Sequence, residues 1–170
     1  MVKRVMWLLL LCAVIAAPVT EAVETTDALI RHLKSVGPAE CLRVYRVRIL
    51  LSQYERSPYG LINTRHTAVL EAAYGNAPIE SQEVQFLTWG GRIGNRLDSS
   101  SQSVCLEPNH SYVVGLTEWD EPGYGLIVRD RRLVGYPEGD SIRFPGLGAT
   151  VDSTGLCRIV LDIVEDGLPD

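Results

Sequence analysis

Few residues of this 170-residue chain have types and spacings that could do chemistry. His32, His66 and His110 lie far apart, and neither Cys-x-x-Cys nor His-Glu-x-x-His occurs, so no short metal-holding arrangement is written in the chain. A Gly-x-Ser-x-Gly elbow, which would present an activated serine, is missing as well. Gly90-Gly91-Arg92-Ile93-Gly94 has the glycines of a phosphate cradle. No amphipathic helix follows it, and a bend in a barrel strand accounts for it better. Gly146-Leu147-Gly148, after Pro145, reads as a loop. Asp120 and Glu121 could work as an acid and base pair, although neighbouring carboxylates on a loop are usually just solvated. The chain therefore reads as a non-enzyme with no cofactor and no metal. A hydrolase would need residues that converge only in three dimensions, and its mark would be a pocket lined by His66 with acids or a serine.

The strongest recognition signal is the loop around Trp119, Asp120, Glu121 and Tyr124, where two large aromatics stand among polar turn residues. Aromatics on loops tend to carry binding energy, so these four residues form the candidate contact site. The competing and commoner role for Trp119 is to fold back over a barrel end. Arg43, Arg46 and Arg48 could make an anion site, but such a row is more often a solvated strand face.

The elements that position these residues follow from periodicity. Leu29, Ile30, Leu33 and Val36 recur on one face of a short helix over 25–36, stopped by Gly37-Pro38 and expected to pack over one end of the barrel. Residues 41–54 alternate as a long strand whose pattern slips at Tyr45-Arg46, as a β-bulge would make it do. Ser57-Pro58-Tyr59-Gly60 is a turn, 66–74 a second strand, and 81–89 a third that breaks on Gly90-Gly91. An extended stretch over 92–97, a brief strand over 104–106, a strand over 111–116 buried on both faces, and strands over 124–128 and 133–136 complete the pattern. The apolar residues from Leu156 to Val164 have helical spacing but are largely β-branched; a short terminal helix is the reading adopted, with 165–170 a frayed acidic tail.

The chain begins with Lys3 and Arg4, an apolar run from Met6 to Ala17, then Pro18 and small residues to Ala22. That order is a secretory signal peptide, with cleavage expected after Ala22 and Ala17 as the lesser alternative, and the run is shorter than the roughly 20 residues a spanning helix needs, so no stable membrane insertion is expected. Export to a secreted or periplasmic location follows. Cleavage takes Lys3, Arg4 and Glu21 with it, moving the net charge from −5 to about −6, which argues against a nucleic-acid partner. Residues 23–164 are of a size for one domain. Cys41, Cys105 and Cys157 remain, and in an oxidising compartment three pairings are open; Cys41 with Cys105 is favoured because both lie at strand edges.

This order of features, with Trp89-Gly90-Gly91-Arg92-Ile93-Gly94 followed by Leu106-Glu107-Pro108-Asn109-His110-Ser111-Tyr112-Val113-Val114-Gly115-Leu116, resembles a group of bacterial secreted domains similar to the OB-fold barrels of the netrin and tissue metalloproteinase-inhibitor type. The resemblance covers roughly residues 25–136. It implies a mainly β, small Greek-key (OB-like) barrel of five strands and no particular activity. The inhibitors chelate a protease zinc through an amino-terminal cysteine; Cys41 lies inside the expected mature chain, so that mechanism is not carried over. The expectation is a secreted, non-enzymatic barrel that binds a protein or envelope component through its loops. The alternative is an inhibitor or accessory protein of a secreted metalloprotease.

Overall fold

The computed structural model describes residues 26–36, 41–119 and 121–166. The expected signal peptide, Asp120 and the last four residues of the acidic tail lie outside the described residues. Ten strands lie among the described residues: β1 (Arg43–Arg56), β2 (Ile62–Tyr74), β3 (Glu83–Trp89), β4 (Gly91–Ile93), β5 (Arg96–Asp98), β6 (Ser111–Trp119), β7 (Gly125–Ile127), β8 (Val134–Glu138), β9 (Ser141–Phe144) and β10 (Ala149–Asp152). Among the described residues two α-helices flank them, α1 over residues 26–35 and α2 (Ser153–Asp166). No described helix is long and apolar enough to cross a membrane.

The expected mainly β, OB-like Greek-key barrel with a helix at each end of the chain is the architecture found. β1, β2 and β3 form an antiparallel meander, and β6 returns to lie beside β1. β7 then pairs with β6 and meets β3 in parallel, Leu87 opposite Ile127, so the ring runs β1-β2-β3-β7-β6 and back to β1. The seam is thin. Beyond the Leu87–Ile127 pair, the Val128 N–H donates to the Leu87 carbonyl at 2.9 Å.

The sheet does not stop at the ring. β8, β9 and β10 continue from β6 as an antiparallel extension, and the interior divides in two. Tyr45, Val47, Ile49, Ala68, Phe86, Tyr112, Val114 and Leu116 fill the barrel. Val44, Val113, Leu133, Ile142 and Phe144 face outward, where Leu29 and Leu33 of α1 and Leu156, Val160 and Ile163 of α2 cover them. Thus α1 packs on the outer side of the sheet rather than over a barrel end. Space is made for it at Gly115, where an added Cβ would stand 3.3 Å from Leu133 and 3.8 Å from Leu33.

This division explains the slip at Tyr45-Arg46. Val44 and Tyr45 point to opposite faces, and both faces are buried there, so the apolar pattern doubles without a bulge. No extra residue lies in β1 there; the register shift beside Arg46 is taken up by its partner strand. Glu71 is the extra residue on β2 between the pairs Arg46–Ala72 and Val47–Leu70, and Leu50 is the extra residue on β1 between Ile49–Ala68 and Leu51–Thr67. Glu71 bonds both Arg46, at 3.1 Å, and Arg48, at 3.3 Å, while Arg43 pairs with Glu118 at 3.0 Å. The arginine row is therefore a salt-bridged strand face.

Residues 66–74 are strand rather than helix, and α2 is longer than expected, reaching Glu165 and Asp166. Asp152 caps it by accepting from the Gly155 N–H at 2.6 Å. Two further expectations are corrected. Residues 92–97 are not one extended stretch but the β4–β5 hairpin, turned on Gly94 (φ 60°) and Asn95, with glycine at the first central position as a type II′ turn requires. Residues 104–106 pair in no ladder.

Candidate functional site: a loop-flanked cleft on the outer barrel face

The β1–β2 hairpin and the β6–β7 connection meet on the outer face of β2 and β3. Ser57 closes the first loop: its N–H donates to the Leu61 carbonyl at 2.8 Å, its carbonyl accepts from Gly60, and its hydroxyl accepts from the Leu61 N–H. Beyond the Leu50 bulge the odd-numbered residues of β1 face outward. Glu55 therefore joins Asn63 and Arg65 of β2 and Leu87 of β3 on one surface, in the registers Glu55–Asn63, Asn63–Trp89 and Arg65–Leu87. Arg65 grips Glu55 through two bonds of 2.7 and 2.8 Å, and its Nη2 also donates to the Gly123 carbonyl at 3.1 Å. One guanidinium thus fastens the second loop to the sheet.

Between these groups lies a cleft of about 410 Å³, lined by Glu55, Arg56, Ser57, Pro58, Asn63, Arg65, Leu87, Gly123 and Tyr124. The two loops also meet at their tips, where the Glu121 carboxylate raises the pKa of the Tyr59 phenol. Exposed apolar area gathers here, with Tyr59 67% and Leu61 47% accessible.

The residues expected to form the contact site separate. Tyr124 lines the cleft but is only 4% exposed. Trp119 is half-buried, with its ring edge-on to Trp89 at 5.3 Å, 5.8 Å from Tyr124, and under the Arg129 guanidinium at 4.5 Å. Leu87, Tyr124 and Ile127, with Trp89 and Trp119 against them, form a small third core that holds the β6–β7 connection down. Glu121 is exposed at the loop tip, and Asp120 lies outside the described residues. Sequence reasoning missed Glu55, Asn63 and Arg65. Pairing the two strands across the Ser57–Gly60 turn would have placed them face to face.

A second groove, of about 310 Å³, opens at the barrel mouth between β1, β2 and the β4–β5 hairpin. Because the Leu50 bulge reverses the alternation, Ser52 points inward opposite His66. Ser52 Oγ lies 2.8 Å from His66 Nδ1, and His66 Nε2 lies 3.0 Å from Thr88 Oγ1. Asp98 and Cys105 also line the groove. This is the serine-lined His66 pocket that would mark a hydrolase. Its electrostatics do not suit one. His66 is 1% exposed, burial lowers its pKa to about 4, and its second nitrogen faces a hydroxyl instead of a carboxylate. A base that takes the serine proton must become an imidazolium, and this site disfavours that charge. Asp98 is engaged by Arg96, at 2.9 and 3.0 Å, and by the Ile62 N–H at 2.8 Å.

The remaining histidines are also accounted for. His32 reaches Asp130 at 3.0 Å, and His110 sits exposed near Glu107. No cluster of three metal-ligating side chains occurs among the described residues.

The expected Cys41–Cys105 disulfide is not formed; Cys41, Cys105 and Cys157 are all free. Cys41 stands just before β1, whereas Cys105 lines the groove with Ser52 and Tyr54 near the other end of that strand. Ten or so residues of strand, at about 3.3 Å each, separate the two, far beyond the roughly 6 Å between the Cα atoms of a disulfide.

No protein-family model matches the chain, and neither a curated protein nor a solved structure is found to match it.

Proposed function

We propose that this chain is an exported, non-enzymatic barrel domain that binds a protein partner through the loops at the β1–β2 and β6–β7 end. The observation that carries the reading is the convergence of the two loops around a cleft of about 410 Å³ on the outer face of β2 and β3. OB-type barrels bind ligands on that face, between the corresponding loops, and this support is fold analogy. The loop tips present Tyr59, an aromatic of the kind that anchors interfaces, beside the exposed Glu121 carboxylate.

Affinity capture with the mature chain tests the reading. Tyr59→Ala and Glu121→Lys change exposed residues and leave the core intact, unlike a substitution at Trp119. A partner held by the unaltered chain is lost with either loop variant and kept with Asp140→Lys in the β8–β9 turn. A partner set indifferent to both loop variants overturns the reading.

One observation favours a second reading: the Ser52–His66 contact of 2.8 Å within a groove. A serine-directed fluorophosphonate that labels the unaltered chain but not Ser52→Ala would support hydrolysis. No labelling retires it.

A further inference from the structure

Asn63 is 1% exposed, and neither its Nδ2 nor its Oδ1 has a hydrogen-bond partner among the described residues. Buried polar atoms of folded chains are nearly always paired, and an amide with both ends unpaired is a costly way to fill such a position. A leucine of similar shape would fill it without that cost. The neighbouring polar groups do not help, because Glu55 and Arg65 hold each other and Arg65 also holds Gly123. Asn63 forms part of the cleft wall, beside Glu55 and Tyr124.

We infer that Asn63 is the recognition group of the cleft and that its ligand is an extended peptide segment, read by main chain rather than by side chain. This rests on the loop-binding reading above. A carboxamide presents a donor and an acceptor side by side, and its terminal torsion is soft, so it turns to meet an incoming group. One residue of an extended peptide presents the complement, its own N–H and C=O pointing the same way. A carboxylate or phosphate ligand would offer acceptors alone and leave Oδ1 unmet. An apolar ligand would leave both atoms unmet. Main-chain recognition gives affinity without sequence preference, and the exposed Arg56 and Pro58 of the cleft lining then supply what selectivity there is.

The test uses the mature chain labelled with ¹⁵N and the capped peptide acetyl-Ala-Ala-Ala-amide as probe. On titration the Asn63 Nδ2 resonances shift and saturate. An ester analogue lacking the central N–H binds at least about tenfold more weakly, as does the peptide to Asn63→Leu. The resonance and the ester are read on the unaltered chain, so the test stands even if the variant misfolds. Two results overturn the inference: no peptide-dependent shift at Asn63, or a persistent cross-peak from its amide to a long-lived water that the peptide leaves unchanged. Either result, together with partner capture still sensitive to Tyr59→Ala and Glu121→Lys, removes the role of Asn63 and leaves the loop reading standing.

Discussion

His66 should make this barrel acid-sensitive in a way that one substitution removes. Its pKa falls from 6.5 to about 4 because the ring is buried between Ser52, Thr88 and Phe86. The folded pKa lies below the unfolded one. Between pH 6.5 and 4 the unfolded chain therefore takes up a proton at this position that the folded chain refuses, and stability falls as pH falls through that window. Above pH 6.5 both states are neutral here and the group is silent; below pH 4 the loss is complete. A displacement of 2.5 units at about 1.4 kcal/mol each is roughly 3 kcal/mol, a large share of the 5–15 kcal/mol typical of a domain. His66→Gln keeps an amide between the two hydroxyls and cannot titrate. Urea unfolding at pH 7.5, 6, 5 and 4 should show the unaltered chain losing about 3 kcal/mol more than the variant, with most of the divergence between pH 6 and 4. Carboxylates such as Asp130 contribute to both curves and cancel in the difference. Parallel curves would refute the reasoning, because they would mean that water reaches the ring and lets it charge in place.

Further outcomes follow from the same geometry. Asn63→Leu should stabilise the fold by roughly 1–3 kcal/mol, raising Tm by several degrees in a thermal melt, since it removes two unpaired buried atoms; a fall in Tm would mean that the amide is satisfied. Gly91→Ala should cost about 2–4 kcal/mol in chemical denaturation, because φ is 153° and the new Cβ would stand 2.6 Å from Tyr54 and 3.0 Å from Ile62. Asp130→Asn should destabilise at neutral pH by about 1.5–3 kcal/mol, because it weakens the charge-assisted bonds from the Arg132 side chain and N–H. Burial alone would raise the Asp130 pKa, yet bonds from the Arg132 side chain and N–H, with His32 close by, hold it below the usual range. Its contribution should be lost as pH falls through that lowered pKa. Cys105, exposed, should react with a maleimide in the folded chain faster than Cys41 or Cys157, as peptide mapping of the labelled sites would show.

Much of the scaffold was legible because periodicity reports burial directly. β1, β2, β3 and β6 could be read from alternation or from a continuous apolar run, and α1 from Leu29, Leu33 and Val36 on one face. Gly90-Gly91 marked its bend correctly: an added Cβ at Gly90 would stand 2.5 Å from Ser103 Oγ. β9 and β10 went unread because four residues of Ser141–Phe144 or Ala149–Asp152 are too short to show a period. The candidate site was legible only in outline. Tyr124 could be marked as an aromatic beside a loop, but not as one that turns inward, since which way a ring folds depends on Trp89 and Trp119 arriving from other strands. Asn63 looked like any polar residue near a strand start.

Residue order alone decided the mainly β class, the meander, the helix at each end and the acidic balance, because each depends on side chains a few positions apart or on a count. Tertiary structure decided that β6 lies between two cores, that one carboxylate at Glu71 serves two arginines, and that Ser52 meets His66 while Asn63 is left unpaired. Those outcomes depend on single-residue bulges at Leu50 and Glu71 and on the registers they set. Adding one residue to a strand reverses the facing of everything beyond it, and a list of residues does not show where that reversal falls.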